Sequence, residues 1–106
     1  MALEMIVGLL VDDQESYAQY RREMEPLLEA AGGRFRYDFV VAKVVHSETR
    51  EAINRAFVLE FPDQPAKERF FADPRYLDIR RRFFDPAVKA RTAIAEFHTE
   101  KARTNA

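Results

Sequence analysis

Glu60 stands between Leu59 and Phe61 at the end of the apolar stretch AFVLEF, Ala56 to Phe61. A carboxylate that loses water in such a setting has its pKa raised, which suits a general acid or base. The structural alternative is a strand-end glutamate paired with an arginine or holding a subunit contact, because ion pairs perturb pKa values too. The chain has 2 histidines, His46 and His98. A neutral imidazole near a carboxylate could act as base, orient a ligand or bind haem, and either histidine could equally be a half-exposed strand-end residue. Glu60 and His98 are the expected catalytic pair, with Asp38, His46, Val58, Tyr17, Arg80 and Glu96 as expected ligand contacts.

The remaining candidates weigh less. Two isolated histidines make no HxH or HxxxH pairing, and cysteine is absent, so neither a metal site nor thiolate chemistry nor a cofactor is expected. Tyr17 and Tyr20 recur at helical spacing, where a tyrosine ordinarily edges the core. Arg80, Arg81 and Arg82 point about 100° apart around a helix, so at most one could face a pocket mouth. Arg80, close to Tyr76 and Phe83 in the helical count, could grip a substrate carboxylate or simply be solvated.

These residues need a scaffold, and the bulk composition limits which one. A chain of 106 residues suits one domain, expected over 1–100 with a polar C-terminal tail at 101–106. Apolar residues make up 47% and charged ones 33%, the balance of a globular protein. With 17 basic and 18 acidic residues the net charge is -1, which offers no broad positive field to nucleic acid or anionic membrane. No apolar run reaches a membrane-spanning length, and Met1-Ala2-Leu3-Glu4 lacks signal-peptide character, so a cytoplasmic location is expected.

The pattern along the chain supplies the elements. Met5–Val11, MIVGLLV, reads as a central strand covered on both faces. Asp12 and Glu15 resemble a capping box, and Tyr17, Tyr20, Met24, Leu27, Leu28 and Ala31 continue at helical spacing, with Pro26 expected to kink or split the helix and Gly32-Gly33 to end it. Arg34–His46 and Ile53–Phe61 read as a hairpin of two strands around the polar loop Ser47–Ala52. Asp63 and Asp73-Pro74 cap a broken helical segment running to Asp85-Pro86. Arg91–Thr99 alternates as a fourth strand, and Lys101–Ala106 is expected to fray.

Strand, helix, strand, strand, helix, strand is the βαββαβ order of a ferredoxin-like α+β fold, with both helical segments on one face of an antiparallel sheet. Strict alternation sends the odd positions, with most of the aromatic residues, to the helix side. It leaves Val40, Ala42, Val44, Ala56, Val58 and Ile94 on the other face, interspersed with Asp38, His46, Glu60, Glu96 and His98. An apolar face of that kind is rarely left bare. A homodimer packed sheet against sheet, with a pocket in each half, is the expected way to cover it.

Gly32-Gly33-Arg34-Phe35, Leu59-Glu60-Phe61-Pro62 and Phe71-Ala72-Asp73-Pro74-Arg75-Tyr76 resemble the bacterial domain-of-unknown-function family thirteen-thirty. The resemblance covers about Ile6 to His98 and implies the dimeric α/β-barrel fold. It departs in the first strand, IVGLLV, where members often carry an aromatic, and at Lys43-Val44-Val45-His46, where they often carry a glycine pair. The wider superfamily holds cofactor-free monooxygenases, lactone isomerases, polyketide cyclases and haem-degrading enzymes, and a shared fold does not choose among them.

RNA-recognition domains share the element order, and RAFVLEF superficially resembles their third-strand motif. Here Glu60 occupies the place of the required aromatic, and Phe61 comes one later, on the wrong parity for stacking. RNA binding is therefore rejected. Two functional expectations stand: a dimeric barrel binding a small apolar or aromatic molecule, with cofactor-free acid/base chemistry of monooxygenase or isomerase type, and a non-catalytic ligand-binding or accessory protein whose polar groups only fix the dimer.

Overall fold

The computed structural model describes residues 2–99, so the expected tail at 101–106 lies outside the described residues. Its elements are β1 (Ala2–Val11), α1 (Gln14–Ala30), β2 (Arg34–Val40), β3 (Arg55–Phe61), α2 (Gln64–Ala72), α3 (Pro74–Ile79) and β4 (Val88–Thr99). A π-helical turn, Arg80–Phe84, prolongs α3 and is closed by the Asp85 amide donating to the Arg80 carbonyl at 2.9 Å. The strands lie in the order β2-β3-β1-β4, each antiparallel to its neighbour. This is the ferredoxin-like α+β arrangement read from the sequence.

Local chemistry sets the helix ends. Asp13, rather than Asp12, caps α1, accepting a hydrogen bond from the Ser16 amide at 3.1 Å. Pro26 stands inside α1 without ending it, because it sits on the exposed side, where the carbonyl it deprives of a donor can meet water. Gly32 takes φ 82°, and the Gly33 amide closes the helix on the Leu28 carbonyl at 2.9 Å. Asp63 and Asp73 cap α2 and α3 through the amides of Ala66 and Arg75, both at 2.8 Å.

The hairpin strands are shorter than the sequence suggests. Strand β2 ends at Val40 instead of His46, and β3 begins at Arg55 instead of Ile53, leaving residues 41–54 irregular. Asn54 explains part of this. Its side chain accepts from the Val11 amide and donates to the Val11 carbonyl, each at 2.8 Å, so an amide group takes the place of strand pairing at the end of β1.

Register decides which face each residue serves. Odd residues of β1 oppose odd residues of β3, as Met5 with Leu59 and Val7 with Phe57, and these point to the helices. Strand β2 then carries one extra residue between Phe35 and Tyr37, and β4 carries extra residues where Ile6–Val7 and Leu10–Val11 of β1 pair with it. Each insertion exchanges the faces of everything beyond it. Tyr37 and Phe39, expected toward the helices, lie on the open face beside Val58 and Ala56; Asp38 and Val40 go to the helix side. In β4, Ala95 and Phe97 join the open face, whereas Glu96 and His98 turn to the helix side opposite Met5 and Leu3.

The core fills the space between the sheet and all three helices. Tyr17, Tyr20, Met24 and Leu28 of α1 meet Phe70, Tyr76, Ile79 and Phe84 from the other helical segments above the odd residues of β1 and β3. Ring contacts such as Tyr20 on Phe84, with centroids 4.9 Å apart, tie α1 to the π turn. The Cβ that Gly8 lacks would lie 2.8 Å from Ile53 Cδ1, so Ile53 seats the 41–54 loop over one end of the open face.

Candidate functional site

A cleft opens on the helix side between β1, β4 and the helical layer. Its outer part, about 430 Å³, is lined by Met5, Lys67, Phe71, Arg80, Arg91, Ala93 and Glu96. Phe71, Arg80 and Arg91 also line a smaller cavity of about 30 Å³ further in, whose other walls include Val7, Leu59, Tyr20, Tyr76 and Phe84. The two spaces share these three walls.

Beside the smaller cavity the Tyr20 and Tyr76 hydroxyls share a hydrogen bond at 2.8 Å. Burial raises the pKa of both phenols. Their mutual contact raises Tyr20 further, while for Tyr76 the bond from Tyr20, the charge and donated hydrogen bond of Arg80 and the charge of Arg91 pull the other way without prevailing. Both groups are therefore neutral donors at ordinary pH. The register explains Arg91: it opposes Leu9, a residue of the helix-facing row. The π turn carries Arg80, whose guanidinium lies 4.9 Å from the Phe84 ring centroid.

The charges of the cleft are unevenly satisfied. Lys67 Nζ is bound to Glu96 Oε1 at 2.6 Å. Arg80 donates to the Tyr76 hydroxyl, and among the described residues its one carboxylate partner is the loosely placed Asp85, 3.7 Å from Nε. The Arg91 side chain makes no hydrogen bond or ion pair with the described residues.

The expected site residues are dispersed. Arg80 and Glu96 do meet in the cleft. Glu60 and His98 do not meet: Glu60 opposes Glu4 on the open face, and His98 opposes Leu3 on the helix face, so the sheet separates them. Glu60 is bound by Arg34 Nε at 2.8 Å. Tyr17 is packed in the core with its hydroxyl accepting from Arg21 at 3.2 Å. Asp38, at the β2 edge of the helix side, is held by Arg21 and Arg55, each within 2.9 Å. Burial pushes its carboxyl up, but the bonds from Arg55 and Arg21 outweigh that and leave it below the usual value. Val58 is half-buried on the open face.

The open face also has a groove, about 580 Å³, beneath the 41–54 loop. His46, Val44, Ile53, Ala56, Thr92 and Ile94 are among its walls. Nearby, Tyr37 and Phe39 stack with centroids 5.9 Å apart and are 51% and 53% exposed. Glu4 lies on the same face yet is only 2% exposed, with Arg36 Nη1 at 3.0 Å from its Oε1. Among the described residues no three histidine or carboxylate side chains come together as a metal site, and no helix is long and apolar enough to cross a membrane.

Glu4, Tyr76, Lys67 and Arg91 are not among the site residues expected from the sequence. For Tyr76 the available signal was its chemistry: a tyrosine in an apolar stripe must find a partner for its hydroxyl. For Arg91 there was none, since its face depends on the pairing with β1.

Residues 5–98 match the domain of unknown function DUF1330. The chain belongs to that family. Among solved structures, a protein of unknown function from Rhodopseudomonas palustris superposes with a TM-score of 0.79 at 20% identity, covering 94% of this chain and 83% of the other. A dimeric protein of unknown function with a ferredoxin-like fold from Bacteroides fragilis gives 0.61 at 13% identity, over 92% of this chain and 96% of the other. The hydroxynitrile lyase of Passiflora edulis gives 0.66 at 15% identity, with 95% of each chain covered. At these identities the likeness is one of fold. No curated protein matches the DUF1330 chain in sequence.

Proposed function

We propose that this DUF1330 protein is a homodimer joined through its open sheet faces, each subunit binding a small apolar or aromatic molecule in the cleft between its own helices and sheet. The observation that carries the reading is the cleft itself, which narrows from a solvent-open mouth to two buried phenols and two incompletely paired guanidiniums. Apolar walls with a few convergent polar groups are the usual make-up of a small-molecule site.

The dimer rests on the open face. The register shifts remove Asp38, Glu96 and His98 from it and add Tyr37, Phe39 and Phe97, so it is more apolar than strict alternation implies. Ile94 and Phe97 remain 52% and 40% exposed in a single subunit. Its buried carboxylate, Glu4, is matched by Arg36, which suits a face meant to be covered. The Bacteroides fragilis protein of the same fold is dimeric.

The same cleft would serve a cofactor-free reaction in which a neutral phenol stabilises a developing oxyanion, as an isomerase-like or monooxygenase-like step requires. Glu96 is the carboxylate at its wall, and Lys67 must release it before it can take a proton. The alternative is a binding or accessory protein with the same pocket and no turnover. Likeness to a hydroxynitrile lyase brings no reaction to this chain.

Amide chemical-shift mapping with indole, benzamide and benzoate tests the pocket. Shifts should gather on Phe71, Arg91 and Ala93. Shifts confined to Val44–Ile53 would move the site to the open-face groove and end this reading. Sedimentation equilibrium tests the dimer: wild type should sediment as two chains and Phe39→Lys as one.

A further inference from the structure

Resting on the cleft reading above, the geometry points to a monocarboxylate as its ligand, with the carboxylate held at the narrow end by Arg91, Arg80 and the Tyr20–Tyr76 pair, and the apolar body lying along Phe71 toward the mouth.

Three observations lead there. The first is proton counting at the phenols. Two hydroxyls carry two protons, and the single bond between them uses one. The other has no protein acceptor among the described residues, although Tyr20 and Tyr76 are only 5% and 2% exposed. A buried hydroxyl proton without an acceptor is costly, and both rings border the 30 Å³ space. That space suits an oxygen atom or a water rather than a bulky group.

The second is charge. Of the three cations that wall the cleft, Lys67 is matched by Glu96 and Arg80 is loosely matched by Asp85, which lies outside the cleft's walls. Three positive against two negative groups leaves one positive charge, which calls for a monoanion rather than a phosphate dianion. Arg91 brings that charge, being without an ion-pair partner among the described residues.

The third is shape. The wide part is bounded by Met5, Phe71 and Ala93, so the body of the ligand beyond its head group meets apolar walls. A planar carboxylate also matches the fork of a guanidinium and can accept a phenol proton on its other oxygen. A neutral ligand would leave Arg91 without a counter-charge, and a cation would meet both arginines head-on.

Calorimetric titration of benzoate against benzamide, its neutral isostere, tests the inference in wild type, Arg91→Gln and Tyr76→Phe. Benzoate should bind roughly tenfold or more tightly than benzamide, and Arg91→Gln should abolish the preference. Arg91 is exposed at the sheet edge, so the melting temperature of Arg91→Gln should stay near wild type. Tyr76→Phe should weaken benzoate several-fold while leaving benzamide less affected. Equal binding of acid and amide, or a preference that survives Arg91→Gln, overturns the carboxylate inference and leaves the cleft standing. Failure of both probes and of hexanoate to bind at millimolar concentration overturns the cleft reading, and the inference with it. Inorganic phosphate displacing benzoate more effectively than acetate does would also overturn it.

Discussion

Arg36 on β2 reaches over the intervening strand β3 to Glu4 on β1, placing Nη1 3.0 Å from Oε1. The bond is possible because Arg36 is the extra residue at the β2 register shift, which frees its side chain to lie across the open face. Among the described residues Glu4 is the one charged side chain buried to 2% exposure, and so depends on such partners.

Replacing Arg36 with methionine should therefore destabilise the fold by about 1–3 kcal/mol, since the aliphatic stem is kept and a partner of a buried carboxylate is lost. Urea unfolding of Arg36→Met beside Arg34→Met checks it. Arg34 is 62% exposed where it meets Glu60, so its removal should cost less. Equal costs would mean that Glu4 is not the sensitive member of this face.

Asp38 should give the protein an acid-sensitive increment of stability. Its folded pKa lies below the unfolded value of 3.8, so the increment is fully present above that value and is lost as pH falls through the lower folded value. Asp38→Asn should be destabilised by roughly 1 kcal/mol at neutral pH, and the gap to wild type should close as the solution is acidified below that range. Unfolding midpoints across an acid pH series measure it; a gap independent of pH would show that the charge of Asp38 is irrelevant.

Asn54 holds both main-chain groups of Val11, at 2.8 Å each. Asn54→Ala should cost about 1–3 kcal/mol, and Asn54→Asp no less, because a carboxylate would face the Val11 carbonyl where the amide now donates. Hydrogen exchange at the Val11 amide reads the local effect, which should rise in both variants.

Gly8→Ala should push Ile53 away and loosen the 41–54 loop, at a cost of roughly 1 kcal/mol. Shortening the neighbour should repair it: in Gly8→Ala with Ile53→Val the nearest atom, Cδ1, is gone. Thermal unfolding of both single variants and the double variant should show the double better than the sum of the two. Simple additivity would place Ile53 elsewhere.

Much of the architecture was legible in the sequence because it is written in local chemistry. An unbroken apolar run at β1, aspartates ahead of α2 and α3, Gly32-Gly33 after α1 and the aromatic stripe from Phe70 to Phe84 each act over a few residues. The βαββαβ order and the one-sided helices result from them. The departures of detail are also local in kind: the cap lies at Asp13 rather than Asp12, Pro26 does not split α1, and β2 stops six residues early, at Val40 rather than His46.

The candidate site was legible only in part. The residue types of Arg80 and Glu96 mark them for the cleft they share, but strict alternation puts Glu96 on the opposite face of the sheet. Glu60 and His98 share the same parity in the sequence, yet the sheet separates them.

The sequence by itself determined the elements, their order and the chemistry available to them. Only the folded sheet decided which side chains meet, because the face of a strand residue is set by the partner strand's register. An extra residue such as Arg36 or Ile94 leaves the amino-acid alternation looking regular while turning every later side chain over.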